Sequence, residues 1–464
     1  MSVLSDALHQ NQFPFLIEYL NTEEQSYPPR TTFAGSPAMM TFADRVQTDD
    51  DLAPLACSRY YDACTDKVLH YAGKGRDLKD FQNFLNEAQQ ASIENLLLLT
   101  GDKLKGHQDG KHGQARTRYL ESVNAVMEAK KQGGFFVGVA FNPFKYLEAE
   151  RDAQYLKLHK KLKAGADFVI TQLGYDLNAL KQTIDFLKTA PYSAKLLACV
   201  MPLTLGRAQY MVKHQVAGIV ITPHMLHVLK QEKQSGLLDR AYIRCAIQIL
   251  WCRKMGLAGI HLSACHKAHE QSTLEQYILQ YQHLDIEQLE ALWADLWHIA
   301  TGREFTPELS HYSYPASSTQ MIRYHQLHLM HETIFESKLA KRIGRFIFKS
   351  EFWKKTLGAS LLLKAEWITK YPIVGCESCG QCRLGETLYI CPETCPKGLA
   401  NGPCGGTHLD RCEFGDRECI HSVKARLAKA VEQTDILKDH LIPTVPLELR
   451  GSSSWKNWYM QDET

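Results

Sequence analysis

The sequence predicts an α/β fold: a (β/α)8 TIM barrel, then a helical linker, then a small Cys-rich metal-binding domain. Three observations carry this. From Phe13 to about Leu262 short apolar runs alternate with helix-periodic stretches, the pattern of repeated βα units around a parallel sheet. No such run is followed by the G-x-G-x-x-G of an open dinucleotide-binding sheet; Gly73-Lys-Gly75-Arg-Asp comes nearest and lacks the third glycine. Finally, eight of the 14 cysteines fall between Cys376 and Cys419.

Taken in order, the strand candidates are Phe13–Tyr19, Ala38–Ala43, Lys67–Ala72, Asn95–Thr100, Phe135–Phe141, Ala166–Gln172, Lys195–Met201, Ala217–Ile221 and Gly259–Ser263. One is surplus to an eight-stranded barrel. Ala217–Ile221 is only five residues long and is stopped by Pro223, so it reads as a connection. Between the runs lie amphipathic segments such as Asp77–Ser92, where Phe81, Phe84, Leu85 and Ala88 recur at helical spacing. Helical periodicity around Leu274–Thr301 completes a barrel unit at 1–305, and 306–370 reads as a helical arm containing the Ser/Tyr/Pro stretch Ser310–Ser318. In 371–430 the composition turns to Cys, Gly and Pro, which cannot build an apolar core unaided. Ser422–Lys438 reads as a last helix, 431–464 as a C-terminal tail, and Ser452–Thr464 as its polar end.

Composition excludes several classes. A chain of 464 residues with 45% hydrophobic and 22% charged residues is an ordinary globular one. Lys plus Arg (53) nearly balance Asp plus Glu (51), without the basic stripe that nucleic acid requires. No apolar run approaches the roughly 18 residues that span a bilayer, and Met1–Gln10 lacks the regions of a signal peptide. The chain is therefore expected to be cytoplasmic, with neither nucleic acid nor membrane as partner. Clustered cysteines in such a chain indicate metal before disulfide.

In parallel barrels the working groups sit at the carboxyl ends of strands. Glu18, His70, Asp102, Asn142 and Gln172 hold such positions. Glu18 interrupts the apolar Phe15-Leu-Ile-Glu18-Tyr-Leu, where a buried carboxylate is either paired or kept for use. Asp102 follows Leu96-Leu-Leu-Leu-Thr-Gly101, whose glycine turns the chain; its bland reading is a helix N-cap. Gln172 closes Phe168-Val-Ile-Thr-Gln, an amide able to read a polar ring edge, while His70 is equally well read as a core histidine. His107 and His112 lie in a Gly/Lys-rich loop and read as solvent-exposed.

The strings Leu-Leu-Leu-Thr-Gly101-Asp102, Val-Ala140-Phe-Asn142-Pro143 and Ala164-Gly165-Ala166-Asp-Phe-Val-Ile-Thr171-Gln172, in that order, resemble the methylenetetrahydrofolate reductase family over roughly residues 10–300. The resemblance implies a barrel carrying a flavin, normally FAD, that passes a hydride from NAD(P)H to 5,10-methylenetetrahydrofolate and yields 5-methyltetrahydrofolate. It makes Glu18 the acid that converts the methylene carbon to an iminium, Asp102 the aspartate near flavin and pterin, and Gln172 the folate-reading amide. It places His70, Thr100, Gly101, Asp102, Tyr119, Asn142, Lys160 and Lys161 at FAD contacts. The chain departs from the best-known bacterial pattern at Thr100, where an arginine can stand, at Gln154, where an acidic flavin contact is found, and in lacking prolines after Glu18.

Cys376-x2-Cys379-x2-Cys382-x8-Cys391-Pro392 and then Cys395, Cys404, Cys412 and Cys419 form two groups of four, with His408 and His421 as spare ligands. The first resembles a ferredoxin-type loop for a 4Fe-4S cluster. Zinc is the rival occupant. The run Cys395-Pro-Lys-Gly398-Leu-Ala-Asn401-Gly402-Pro-Cys404-Gly405-Gly406 looks like the C-terminal domain that accompanies some methylenetetrahydrofolate reductases and their companion subunits. Two functions follow from these resemblances. One is a folate-reducing flavoenzyme of one-carbon and methionine metabolism. The other is a non-catalytic metal-binding subunit that assembles with a separate reductase or methyltransferase. An electron-transfer partner and homo-oligomerisation both stay open.

Overall fold

Eight parallel strands close on themselves in the computed structural model, which describes residues 2–19, 30–44, 52–61, 66–104, 106, 117–308, 315–415 and 417–460. They are β1 (Phe15–Tyr19), β2 (Ser36–Phe42), β3 (Lys67–Ala72), β4 (Asn95–Leu99), β5 (Phe136–Phe141), β6 (Phe168–Thr171), β7 (Lys195–Val200) and β8 (Gly259–Leu262). Each pairs with the next, and β8 returns to β1 with Phe15 opposite Ile260. This is a (β/α)8 barrel. Ala217–Ile221 forms no strand and connects two helices, Leu205–Lys213 and Pro223–Gln234.

The strands read as near-continuous apolar runs because they are covered on both faces. Leu96, Leu98, Val137, Val139, Phe168 and Val169 are fully buried. Gly138 is required by packing: a Cβ there would stand 2.2 Å from the Phe168 ring. The helix Leu78–Gln90 buries Phe81, Leu85 and Ala88, and starts with a capping box in which Asp77 and Asp80 satisfy each other's backbone N–H at 3.0 and 2.8 Å. One apolar core runs from Leu4 to Phe305.

Beyond it stand three helices, Ser318–His331, Lys338–Phe348 and Thr356–Val374, and then the irregular Cys-rich segment. The expected last helix is two helices, Ile420–Ala430 and Thr434–Asp439, because the chain turns at Glu432 with φ +55°. The polar end is also corrected. Residues Ser454–Met460 form a helix whose Tyr459 is buried against Phe348, with Trp458 edge-on to Phe335. Ser310–Pro315 lies largely outside the described residues, as do His107 and His112. Among the described residues no helix is long and apolar enough to cross a membrane.

Candidate active site at the barrel mouth

Glu18 stands one residue before the end of β1, half-buried, in register with Thr41. Its Oε2 accepts a hydrogen bond from Ser263 Oγ, just past β8. His261, on β8, lies close enough for burial and the Glu18 charge to act on it in opposite directions; burial prevails and holds its pKa below the ordinary imidazole range. Its Nδ1 is 3.4 Å from Cys199 Sγ, and its Nε2 is buried with no hydrogen-bond partner among the described residues. Glu18, Ser263, His261 and Cys199 thus form one polar group at the seam of β7, β8 and β1. Of these, sequence reasoning singled out only Glu18. The signal was there, since His261-Leu-Ser263 interrupts an apolar run at a strand end just as Glu18 does.

His70 stands deeper in the barrel. Thr41 Oγ1 lies 2.7 Å from its Nε2, and the His261 ring is 5.7 Å away. Burial, aided by His261, pulls its pKa down to about 3, so it is neutral and behaves as a core histidine.

The other candidates line the far side of the mouth, and there the Cys-rich module is docked. Asn142, after β5, donates from Nδ2 to Gly218 O at 2.8 Å and to Gly405 O of the module at 3.0 Å. Gln172, after β6, donates to Ala217 O at 3.2 Å. These contacts converge on Gly218, whose φ of +75° and whose 2.6 Å from a would-be Cβ to Gly405 O leave no room for a side chain. Gly101 O accepts from Lys397 Nζ at 2.8 Å, and the same ammonium lies over the Tyr119 ring. Tyr119 packs with Cys395 and Leu399, and its hydroxyl accepts from Leu104 N at 3.1 Å. Thr100 is buried against Ser122.

The helix Glu148–Lys163 supplies the strongest part of this interface. Lys157 pairs with buried Glu121 at 2.9 Å and donates to Gly402 O at 3.0 Å, while Lys160 reaches Asn401 Oδ1 at 3.4 Å. Glu121 also accepts the backbone N–H groups of Ala400 and Asn401 and the Asn401 amide, each at 3.1 Å. Burial would raise the Glu121 pKa, but Lys157 and these bonds bring it below the usual range. Burial lowers Lys160 to about 8 and Lys161 to about 7; Lys161 Nζ donates to Ala140 O at 2.5 Å.

Asp102 keeps an exposed edge at this rim. Desolvation and the Glu413 charge raise its pKa, while Lys397 and Lys74 oppose them. With the module seated, Thr100, Tyr119, Asn142, Lys160 and Lys161 are turned to protein partners and His70 is sealed in the core. In this arrangement these residues do not fit the FAD contacts that the resemblance implies.

Cys376, Cys379, Cys382 and Cys391 line one small cavity together with Glu366, Lys370 and Arg383. Cys404 and Cys419 both feel the charge of Cys395, and Cys419 feels that of Cys404 as well. No three His, Cys, Asp or Glu side chains among the described residues stand close enough to hold an ion. The thiols instead take protein acceptors, Cys379 the Gln381 carbonyl at 3.1 Å and Cys404 the Glu413 carboxylate at 3.3 Å. Four thiols around one cavity is nonetheless the donor set of either a tetrathiolate zinc or a 4Fe-4S centre.

Comparison with known proteins places this architecture. The family model for methylenetetrahydrofolate reductase matches residues 34–280, more than half of the chain, and that for the methylene-tetrahydrofolate reductase C terminal matches 359–446. The chain belongs to the methylenetetrahydrofolate reductase family. It is 24% identical over 200 residues to methylenetetrahydrofolate reductase 1 of Schizosaccharomyces pombe, covering 42% of this chain and 32% of the relative. With methylenetetrahydrofolate reductase 2 of Saccharomyces cerevisiae it shares 25% over 152 residues, covering 31% and 25%. The matched stretch thus spans about a quarter to a third of these relatives. A solved structure of a Clostridium thermocellum protein described as binding two copies of 5-methyl-5,6,7,8-tetrahydrofolic acid aligns at 13% identity and TM-score 0.41, over 61% of this chain and 99% of that one.

Proposed function

We propose that the chain reduces 5,10-methylenetetrahydrofolate to 5-methyltetrahydrofolate, with a hydride supplied by a reduced nicotinamide or flavin donor and with Glu18 as the acid. The observation that carries this reading is the station of Glu18: a half-buried carboxylate at a strand end, held by Ser263 and beside neutral His261, on the side of the mouth away from the module contacts described above. The methylene carbon becomes a hydride acceptor only when the bridging ring opens. A proton delivered to the departing ring nitrogen opens it and leaves an iminium. Ser263 orients the carboxyl for that transfer. In this reading Gln172 and Asp102 bind the pterin, and the Cys-rich module holds one or two metal centres.

The seating of the module over Tyr119, Asn142 and Lys160 supports a second reading, a non-catalytic metal-binding subunit that works beside a separate reductase or methyltransferase. Flavin content and turnover separate the two. For the enzyme, Glu18→Gln is expected to slow formation of 5-methyltetrahydrofolate by about 100-fold while folate still binds. An unchanged rate overturns the role of Glu18. Colourless protein that takes up neither FAD nor FMN and shows no turnover establishes the second reading.

A further inference from the structure

The helix Lys338–Phe348 is built inside out. Its Gly344 and Phe348 face the fold, where a Cβ on Gly344 would meet the Tyr459 ring at 2.5 Å and Phe348 stacks on that ring at 5.7 Å. Leu339, Ile343, Phe346 and Ile347, spaced i, i+4, i+7 and i+8, therefore form a stripe on the solvent side, with Phe346 83% and Leu339 69% exposed. Lys338, Lys341, Arg342, Arg345 and Lys349 follow along one flank of that stripe. The helix Thr356–Val374 repeats the arrangement: Leu357, Leu361 and Ile368 recur on one side, Leu357 68% exposed, with Lys364 among them. The two are joined through Phe352 and Trp353, with Phe352 itself exposed.

A monomer does not leave such apolar stripes in water without a use for them. Between residues 337 and 374 the sequence has nine Lys or Arg and two Glu, in a chain whose net charge is only +2. A second copy of this face would bring like charges together. We propose that the two helices lie on an anionic lipid surface, their aliphatic and aromatic side chains in the headgroup boundary and their cations against the lipid phosphates. An apolar face flanked by Lys and Arg, with aromatic residues at its edge, is the pattern of helices that lie in the plane of a bilayer without crossing it.

Co-sedimentation of the full chain with phosphatidylcholine vesicles, with and without phosphatidylglycerol, tests this. Binding is expected only with phosphatidylglycerol, weakened by high salt and accompanied by a blue shift of tryptophan emission. Phe346→Glu should weaken partitioning about 10-fold or more, and Arg342→Glu should lower it mainly on anionic vesicles. Both side chains are exposed, and unchanged circular dichroism and melting establish that the variants are folded. Absence of binding to either vesicle, or binding indifferent to Phe346→Glu, overturns the proposal. So does a wild-type dimer that ignores vesicles and that Phe346→Glu dissociates, which would make the face a contact between copies.

Discussion

The barrel and the body that follows it are stabilised by opposite means. The barrel has one continuous apolar core with contributions from all eight strands. The C-terminal body has three small clusters, around Tyr389, Leu399 and Tyr459, and is fixed to the barrel by buried ions and amides. Burial of Glu121, Lys157, Lys160 and Asn401 means that the second body depends on the first for its charge balance. Lys424 Nζ and His421 Nε2 are buried there without a hydrogen-bond partner among the described residues.

The sharpest way to break this relation is at Glu121. Glu121→Ala strands buried Lys157 and the three Asn401 and Ala400 donors, a change expected to cost about 3–5 kcal/mol. The loss should appear as early melting and fast proteolysis within 375–421, while fragments covering the barrel persist. Simultaneous digestion of both regions would show that they do not differ in this way.

A smaller effect separates the barrel interior from the rim. His70 is neutral when folded, with its pKa pulled to about 3, whereas unfolded histidine titrates near 6.5. The folded state therefore binds fewer protons in that window. The contribution is complete above pH 6.5 and is lost as pH falls toward 3. His70→Gln should spare the protein about 2 kcal/mol of the stability that the parent loses between pH 6.5 and 5, read from denaturant unfolding at the two pH values. Parallel acid limbs for parent and variant would refute this.

The smallest expected effect is at the barrel surface. Asp77→Ala removes the cap of Leu78–Gln90 and should cost about 1 kcal/mol, with the module undisturbed. A larger loss would mean that Arg118, which pairs with Asp77 at 2.6 Å, contributes more than the cap does.

How much of this was legible in the sequence follows the same division. Strand β3 has the bounds that its composition suggested, and the rejection of Ala217–Ile221 as a strand holds, because apolar runs between amphipathic helices reflect a periodicity that packing enforces. The docked rim was not legible. Lys157, Lys160 and Lys161 on a helix resemble a solvated face until a partner that is distant in sequence covers them. The terminal helix was hidden differently: Ser452–Thr464 is polar on average, yet Trp455, Trp458 and Tyr459 recur at the spacing of a buried face. The arrangement of Ser263 and His261 around Glu18 needed the closure of β8 on β1, which pairs residues 245 positions apart.

The Glu121–Asn401 contact joins residues 280 positions apart, and this has a consequence for the order of assembly. A ribosome releases the barrel's rim long before Asn401 exists, so for much of synthesis Glu121 and the lysines of Glu148–Lys163 are hydrated and paired only with each other or with water. Their burial has to wait until the C-terminal body has been made. It traps Cys395 and Cys419 beneath the same surface, so any ion destined for those thiols has to arrive before the chain closes over them.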